Sequence, residues 1–305
     1  ALHRPGAPVA DPANVDRSLR ADDAELVLEL VRFVRVDVIV TDKKGEPVDD
    51  LVATDFEVRE DDKPQTIDDL KYPNWFKEIY LDSDTKVALI SGSASEDPRD
   101  WFLTNEMKAN ARADVNKKAG TKRMFSHAIF MPGMPGWMDK FEKDLETLKP
   151  DSFKGYTIGD NTNKHLARHP WHLDDEKLLY PFYEKLVKAA KKRPSLANVC
   201  VHKGLFPPSV TQRFPNLVDY ADVRDVAKAA KDWPKMNFVI YHSALRPWLA
   251  DKPDMEMAQF EKNGYIQWST DLARIPEKFG VNNVYAELGS VFASTAVTDP
   301  KFCSA

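Results

Sequence analysis

From residue 72 onward, short apolar segments alternate with amphipathic ones, and this alternation constrains the fold more than any other feature of the chain. The apolar segments are TKVALISG (85–92), RMFSHAIFMP (123–132), FKGYTIG (153–159), NVCVHKG (198–204), NFVIYHSA (237–244) and NVYAELGS (283–290). Between them lie NEMKANARADVNKKAG (105–120), GWMDKFEKDLETLK (136–149), DDEKLLYPFYEKLVKAAKK (174–192), DVRDVAKAAKDW (222–233) and TDLARIPEKFG (270–280). In the third of these, Leu178, Leu179, Phe182, Leu186 and Ala189 keep a helical period. Gly120 and Gly280 stand where helices should stop. Strands alternating with helices make right-handed βαβ units and a parallel sheet. A spacing of roughly 30–45 residues per unit suits a barrel with long loops better than a doubly wound sheet. Neither GxxxxGKS/T nor GxGxxG follows any strand, so phosphate-loop and dinucleotide-binding folds are not indicated. The expected class is α/β: an incomplete or rearranged TIM-like (β/α)8 barrel over residues 72–305, with a small N-terminal β segment.

That β segment occupies residues 26–71, after a leader over 1–25 that is Pro-rich and without periodicity. In VRFVRVDVIVT (31–41), Val34, Val36, Val38 and Val40 fall on one face of a half-buried strand. DKKGEP (42–47) reads as a turn, DFEVRE (55–60) as another strand and DDKP (61–64) as the next turn. At 43% hydrophobic and 30% charged residues the chain has the balance of a globular protein. Its net charge of -5 argues against a nucleic-acid partner, and its apolar runs fall short of the roughly 18 residues of a membrane span. Cys200 and Cys303 do not make a disulfide framework, and Cys200, inside an apolar segment, reads as a buried thiol. Residues 1–11 carry no signal sequence and read as a mature N-terminus or an edge.

Barrel chemistry sits at the C-terminal ends of strands. Those ends hold Ser91 and Ser93, Lys154 and Tyr156, His202 and Lys203, His242 and Ser243, and Glu287 and Ser290. His202 and His242 end successive strands, so their imidazoles are expected to converge, either on a divalent metal or for proton transfer; the alternative is a hydrogen-bonded pair in the barrel mouth. Lys154 suits polarising a carbonyl or, carbamylated, bridging metals; the alternative is a structural lysine paired with an acid such as Glu287. Glu287 suits a general base or the orienting partner of an imidazole; the alternative is an ion pair. The loop HLARHPWHLDD (165–175) gathers His165, His169, His172, Asp174 and Asp175, but Pro170 breaks ligand spacing, and a solvated loop with a helix cap at Asp174 is the simpler reading. Trp101, Trp137, Trp171, Trp248 and Trp268 suit either an aromatic pocket or packing under loops.

KEIYLDSDTKVALISG (77–92), WHLDDEKLLYPFYEK (171–185), NVCVHKGL (198–205), NFVIYHSA (237–244) and NVYAELGSVFA (283–293) resemble the amidohydrolase family related to aminocarboxymuconate-semialdehyde decarboxylase. The resemblance implies a (β/α)8 barrel, a divalent metal, often zinc, and hydrolysis of C–N or C–O bonds or decarboxylation of aromatic acids. By position, it implies that His202 is a metal ligand and that His242 acts on protons or on the metal-bound water. The family's first-strand HxH pair has no counterpart, since no HxH occurs in the chain, and the eighth-strand aspartate is not found either. VRVDVIVTDKKGEPVDDLVATDFEVREDDKPQTID (34–68) is similar to the leader of bacterial proteins related to von Willebrand factor A domains, which makes the chain look chimeric and favours an extracytoplasmic location.

The function expected from this is a metal-dependent hydrolase of an amide, ester or lactone, with His202 and His242 on zinc or another divalent metal and His242, Glu287 and Lys154 as catalytic groups. Substitute metal ligands would come from the 165–175 loop or from Asp271. The alternatives are a metal-independent esterase using His242 and Glu287, an aromatic-acid decarboxylase, or a non-catalytic binding protein. The expected partner is a small-molecule substrate, aromatic in one version, with no nucleic acid and no membrane; a homo-oligomer is left open.

Overall fold

The computed structural model describes residues 58–60, 63–65, 72–93, 103–160, 165–205, 208–246, 253–296 and 300–304. The leader, the strand expected at 31–41, Trp101 and Trp248 lie outside these residues. The chain divides into two compact units, one of residues 1–90 and 102–125, the other of residues 91–101 and 126–305.

In the first unit, β1 (Val58–Glu60) and β2 (Lys63–Gln65) form an antiparallel hairpin. Helix α1 (Tyr72–Phe76) runs on through a π turn, Lys77–Leu81, to β3 (Ala88–Ile90), and α2 (Asn105–Ala119) follows. Thr104 caps α2 by accepting from the Met107 N–H at 3.2 Å, and Gly120 ends it in the left-handed conformation. The helix returns into β4 (Met124–Ile129) through the Asn116 side chain, which accepts from Arg123 N (2.7 Å) and Met124 N (2.8 Å) and donates to Met124 O (2.8 Å). Tyr72, Phe76, Tyr80, Ala111, Val115 and Met124 make this unit's core.

The second unit takes up the rest of β4 and continues through α3 (Trp137–Thr147), β5 (Ser152–Tyr156), α4 (Tyr180–Ala190), β6 (Asn198–His202), α5 (Pro208–Arg213), α6 (Val218–Ala221), α7 (Val226–Asp232), β7 (Asn237–Tyr241), α8 (Pro253–Asn263), α9 (Ser269–Phe279), β8 (Val284–Ala286), α10 (Gly289–Thr295) and α11 (Pro300–Cys303). Each pairing from β4 to β8 is parallel. Strand order is β3-β4-β5-β6-β7-β8, which is chain order, with β4 shared between the units. Strands laid down in sequence with helices between them form a half-barrel, an incomplete α/β TIM-like barrel. Among the described residues no pairing closes β8 onto another strand.

Alternation along the strands sorts the second unit into two faces. Phe153, Val199, Val201, Phe238 and Ile240 are buried against Phe141, Phe182, Tyr183, Leu186, Val226, Ala229, Leu272 and Ile275 of the helices. At about 1.5–3 kcal/mol for each large buried side chain, this helix-facing layer is the main source of the unit's stability. The intervening positions carry His127, Ser152, Lys154, Tyr156, Cys200, His202 and Tyr241.

All six expected strands are present, each shorter than its apolar run. The helix expected over 174–192 covers only Tyr180–Ala190. Pro181, in its first turn, has no N–H to lose there and sets the start. Asp174 therefore caps no helix; Asp175 Oδ1 instead closes a turn on Lys177 N (3.0 Å) and Leu178 N (2.9 Å).

Candidate active site

The parallel register places side chains in rungs across the inner face. Tyr156, His202 and Tyr241 are direct partners in one rung; Lys154, Cys200 and Val239 make the rung below. His202 ends β6 as expected, whereas the last residue of β7 is Tyr241 and His242 opens the following 3-10 turn. Consecutive residues of a strand point to opposite faces, so His242 could not join Tyr241 on the inner side by continuing β7. The backbone resolves this by entering the left-handed region at His242 (φ 59°), Ser243 (φ 49°) and Ala244 (φ 52°). Each such non-glycine residue costs of order 1 kcal/mol or more, and strain of this kind gathers at functional sites.

The kink is braced from both sides. Glu287, directly after β8, accepts the His242 N–H on its carboxylate at 3.0 Å, and its carbonyl accepts from Ser243 N at 2.8 Å. From β6, Leu205 N donates to Leu245 O at 2.6 Å. Gly204 (φ 63°) makes that approach feasible, because a Cβ there would lie 2.4 Å from the same Leu245 oxygen.

The two imidazoles meet: His242 Nε2 lies 3.1 Å from His202 Nδ1, with ring centroids 4.5 Å apart. Among the described residues His242 Nδ1 is buried without a hydrogen-bond partner, and Glu287 Oε2 lies 4.0 Å away. Tyr156 stacks on His202 at 4.9 Å and donates its hydroxyl to Gly92 O at 3.0 Å. Burial, then His242 and the Lys154 charge, push the His202 imidazole down to about 3. Burial also lowers His242, with Lys154 adding to the effect and Glu287 opposing it. Both rings are therefore neutral near pH 7, and across the short contact one nitrogen donates and the other accepts.

Lys154 is buried at 6% exposure with its Nζ over the Tyr241 ring, 4.1 Å from the centroid, and 5.2 Å from the centroid of Tyr156. Among the described residues its amine makes no hydrogen bond and no ion pair, so the pairing with Glu287 weighed from the sequence is not formed. Burial lowers the amine to about 8, against smaller opposing effects of Cys200 and Glu287.

Beneath it lies a network that strand-end reading passed over. His127 on β4 meets Ser152 Oγ at 2.6 Å through Nδ1 and the Tyr241 hydroxyl at 2.7 Å through Nε2. The signal was in the parity of the strands, since His127, Ser152 and Tyr241 fall on the positions opposite the helix-facing residues. Cys200 is buried as expected, which pushes its thiol up to about 12; Cys200 and Cys303 are unlinked.

Other expected contributors have structural roles. Asp271 caps α9, accepting from Trp268 N (3.2 Å) and Tyr265 OH (2.8 Å). His172 stacks on Tyr220 with ring centroids 4.4 Å apart and lies 3.7 Å from Asp225, while His165 is exposed. Trp137 and Trp171 pack against Phe130, Trp268 is buried, and Trp171 also lines a small pocket with Phe130, Tyr156 and His169. A catalytic zinc takes three protein ligands and keeps a fourth position open. The pair His202 and His242 supplies two nitrogens, and among the described residues no group of three His, Cys, Asp or Glu side chains is placed to hold a metal ion. The residues present thus fall short of a zinc centre of that kind.

The chain matches no family model and no curated protein at a significant level. Among solved structures it is similar to an uncharacterized TIM-barrel protein from Bordetella bronchiseptica, at 13% identity and a TM-score of 0.47 over 74% of this chain. The chain spans 62% of that protein's length. Among the described residues no helix is long and apolar enough to cross a membrane.

Proposed function

We propose that the inner face at the ends of β5 to β8 hydrolyses a small ester, lactone or amide, with His242 moving the proton. The observation that carries this reading is the pair His242 and His202, 3.1 Å apart, held on a strained turn with one His242 nitrogen buried and, among the described residues, unpartnered. A buried imidazole nitrogen with nothing to bind is costly unless a substrate or water completes it. With its conjugate acid destabilised by burial, His242 is a neutral base at neutral pH. It takes the proton of an attacking water, and His202 shares the charge across the short contact. Glu287 fixes the turn through the His242 N–H and favours the imidazolium that forms. Lys154, in its ammonium form, faces the carbonyl oxygen as negative charge develops there. The likeness of these strand ends to amidohydrolases supports the substrate class, while the ligand set favours chemistry by the chain's own residues.

The test is turnover of a panel of p-nitrophenyl esters, aryl lactones and anilides. His242→Gln should lower kcat/KM by on the order of 10²-fold or more without unfolding the protein. The acid limb of the activity profile should lie below the usual imidazole value, because burial disfavours the protonated His242 ring. Turnover that chelation abolishes and zinc restores would replace this reading with a metal-assisted one. A folded protein inactive on the whole panel would remove it.

A further inference from the structure

Two lysines of the second unit are almost fully buried, and they are treated in opposite ways. Lys203, at 1% exposure, donates to Tyr220 O (3.0 Å), Asp222 O (2.6 Å) and Asp225 Oδ2 (3.1 Å), and pairs with Asp225 Oδ1 at 2.9 Å. Lys154, at 6%, has no oxygen partner among the described residues and rests against two phenol rings. Burying an ammonium without hydrogen bonds is expensive, and structural lysines avoid it as Lys203 does. Lys154 also stands on the inner face of β5, at the middle of the strand and one rung below Tyr156 and His202, which end their strands where barrel chemistry takes place.

We infer that Lys154 is a nucleophile that captures a small aldehyde or ketone as an imine, an activity beyond hydrolysis on the same face of the sheet. The Nζ lone pair forms a C–N bond to the carbonyl carbon, and the carbonyl oxygen takes up a proton. The resulting carbinolamine loses that oxygen as water, leaving a protonated C=N bond. One carbonyl, one neutral amine and one proton become one iminium and one water, with no oxidant or reductant. Three features of the site favour this. Burial lowers the amine to about 8, so a useful fraction is neutral near physiological pH. The faces of Tyr241 and Tyr156 stabilise a cation at this position, and the iminium carries the same charge as the ammonium it replaces. The His202 and His242 pair, one rung above, supplies neutral imidazoles to shuttle the protons of carbinolamine formation and loss of water.

The test is reductive trapping of the folded full chain with sodium cyanoborohydride, using pyruvate as the ketone probe and benzaldehyde as the aldehyde probe, read by peptide mass mapping. The expected result is one adduct per chain at Lys154, formed at least about tenfold faster than at surface lysines. Lys154→Arg, which keeps the charge over the rings, should lose that adduct while surface labelling stays unchanged. A circular-dichroism spectrum matching the parent chain verifies its fold. Labelling confined to surface lysines in the parent chain, at rates equal to those in Lys154→Arg, would overturn the inference. Ester turnover is not read in this experiment, so a chain that hydrolyses esters but fails to label loses only the imine, and one that labels but does not hydrolyse loses only the hydrolase.

Discussion

His202 and Lys203 are neighbours at the end of β6, yet they belong to opposite faces of the sheet and to opposite kinds of polar environment. On the Lys203 side the buried charges are paired. The lysine is held by two carbonyls and by Asp225, whose carboxylate also accepts the Leu173 N–H at 2.8 Å and faces His172. Burial alone would raise the Asp225 carboxyl; the charge of Lys203, His172 and the Leu173 N–H hold it below the usual carboxylate value. On the His202 side, His242 Nδ1 and the Lys154 amine lack hydrogen bonds among the described residues, and the turn beside them is strained. On the function proposed above, the contrast separates polar groups that hold the fold from polar groups kept available for chemistry.

The sharpest way to break this contrast is to delete one acid from each side. Asp225→Ala leaves the Lys203 charge buried and unpaired, and should cost about 3–5 kcal/mol in urea denaturation. Glu287→Ala should cost no more than about 1 kcal/mol while lowering turnover, because Glu287 is part-exposed and, among the described residues, makes no close ion pair with the buried Lys154. Equal losses of stability would show that both clusters are structural.

Acid should expose the cost of the inner face next. The folded-state value of His202 is depressed from 6.5 to about 3, so the unfolded chain binds the extra proton first. The stability due to the neutral imidazole is fully present above pH 6.5 and is lost as pH falls from there toward 3. His202→Gln should flatten the stability curve across that window, measured by denaturation midpoints at successive pH values.

A smaller effect concerns strain. Ala244 is buried at φ 52°, a conformation that glycine adopts without penalty. Ala244→Gly should therefore stabilise the protein by about 1 kcal/mol in thermal or urea unfolding. A loss of stability instead would mean that packing of the Ala244 methyl outweighs relief of its backbone.

The weakest lever is His172, whose imidazole is raised above 6.5 by its interaction with Asp225, against the opposing effect of burial. A raised value contributes stability below pH 6.5 that disappears as pH rises through the folded-state value. His172→Gln should therefore matter more at pH 6 than at pH 8, and by well under 1 kcal/mol for so exposed a ring.

Read as a sequence, the chain already declares its layers. The apolar runs locate all six strands, Gly120 and Gly280 mark two helix ends, and His202 is placed at the end of its strand. These are local matters of hydrophobic period and of glycine's access to positive φ, so short stretches carry them. Three things are decided only in three dimensions. The approach of His242 to His202 depends on a left-handed turn braced from β6 and β8, and no local propensity favours serine and alanine there. The contact of His127 with Tyr241 joins residues 114 positions apart. The difference between Lys154 and Lys203 lies in which partners the fold brings to each amine. The residue types at these positions are written in the sequence, but whether a buried charge is satisfied depends on distant segments, and only the assembled sheet settles it.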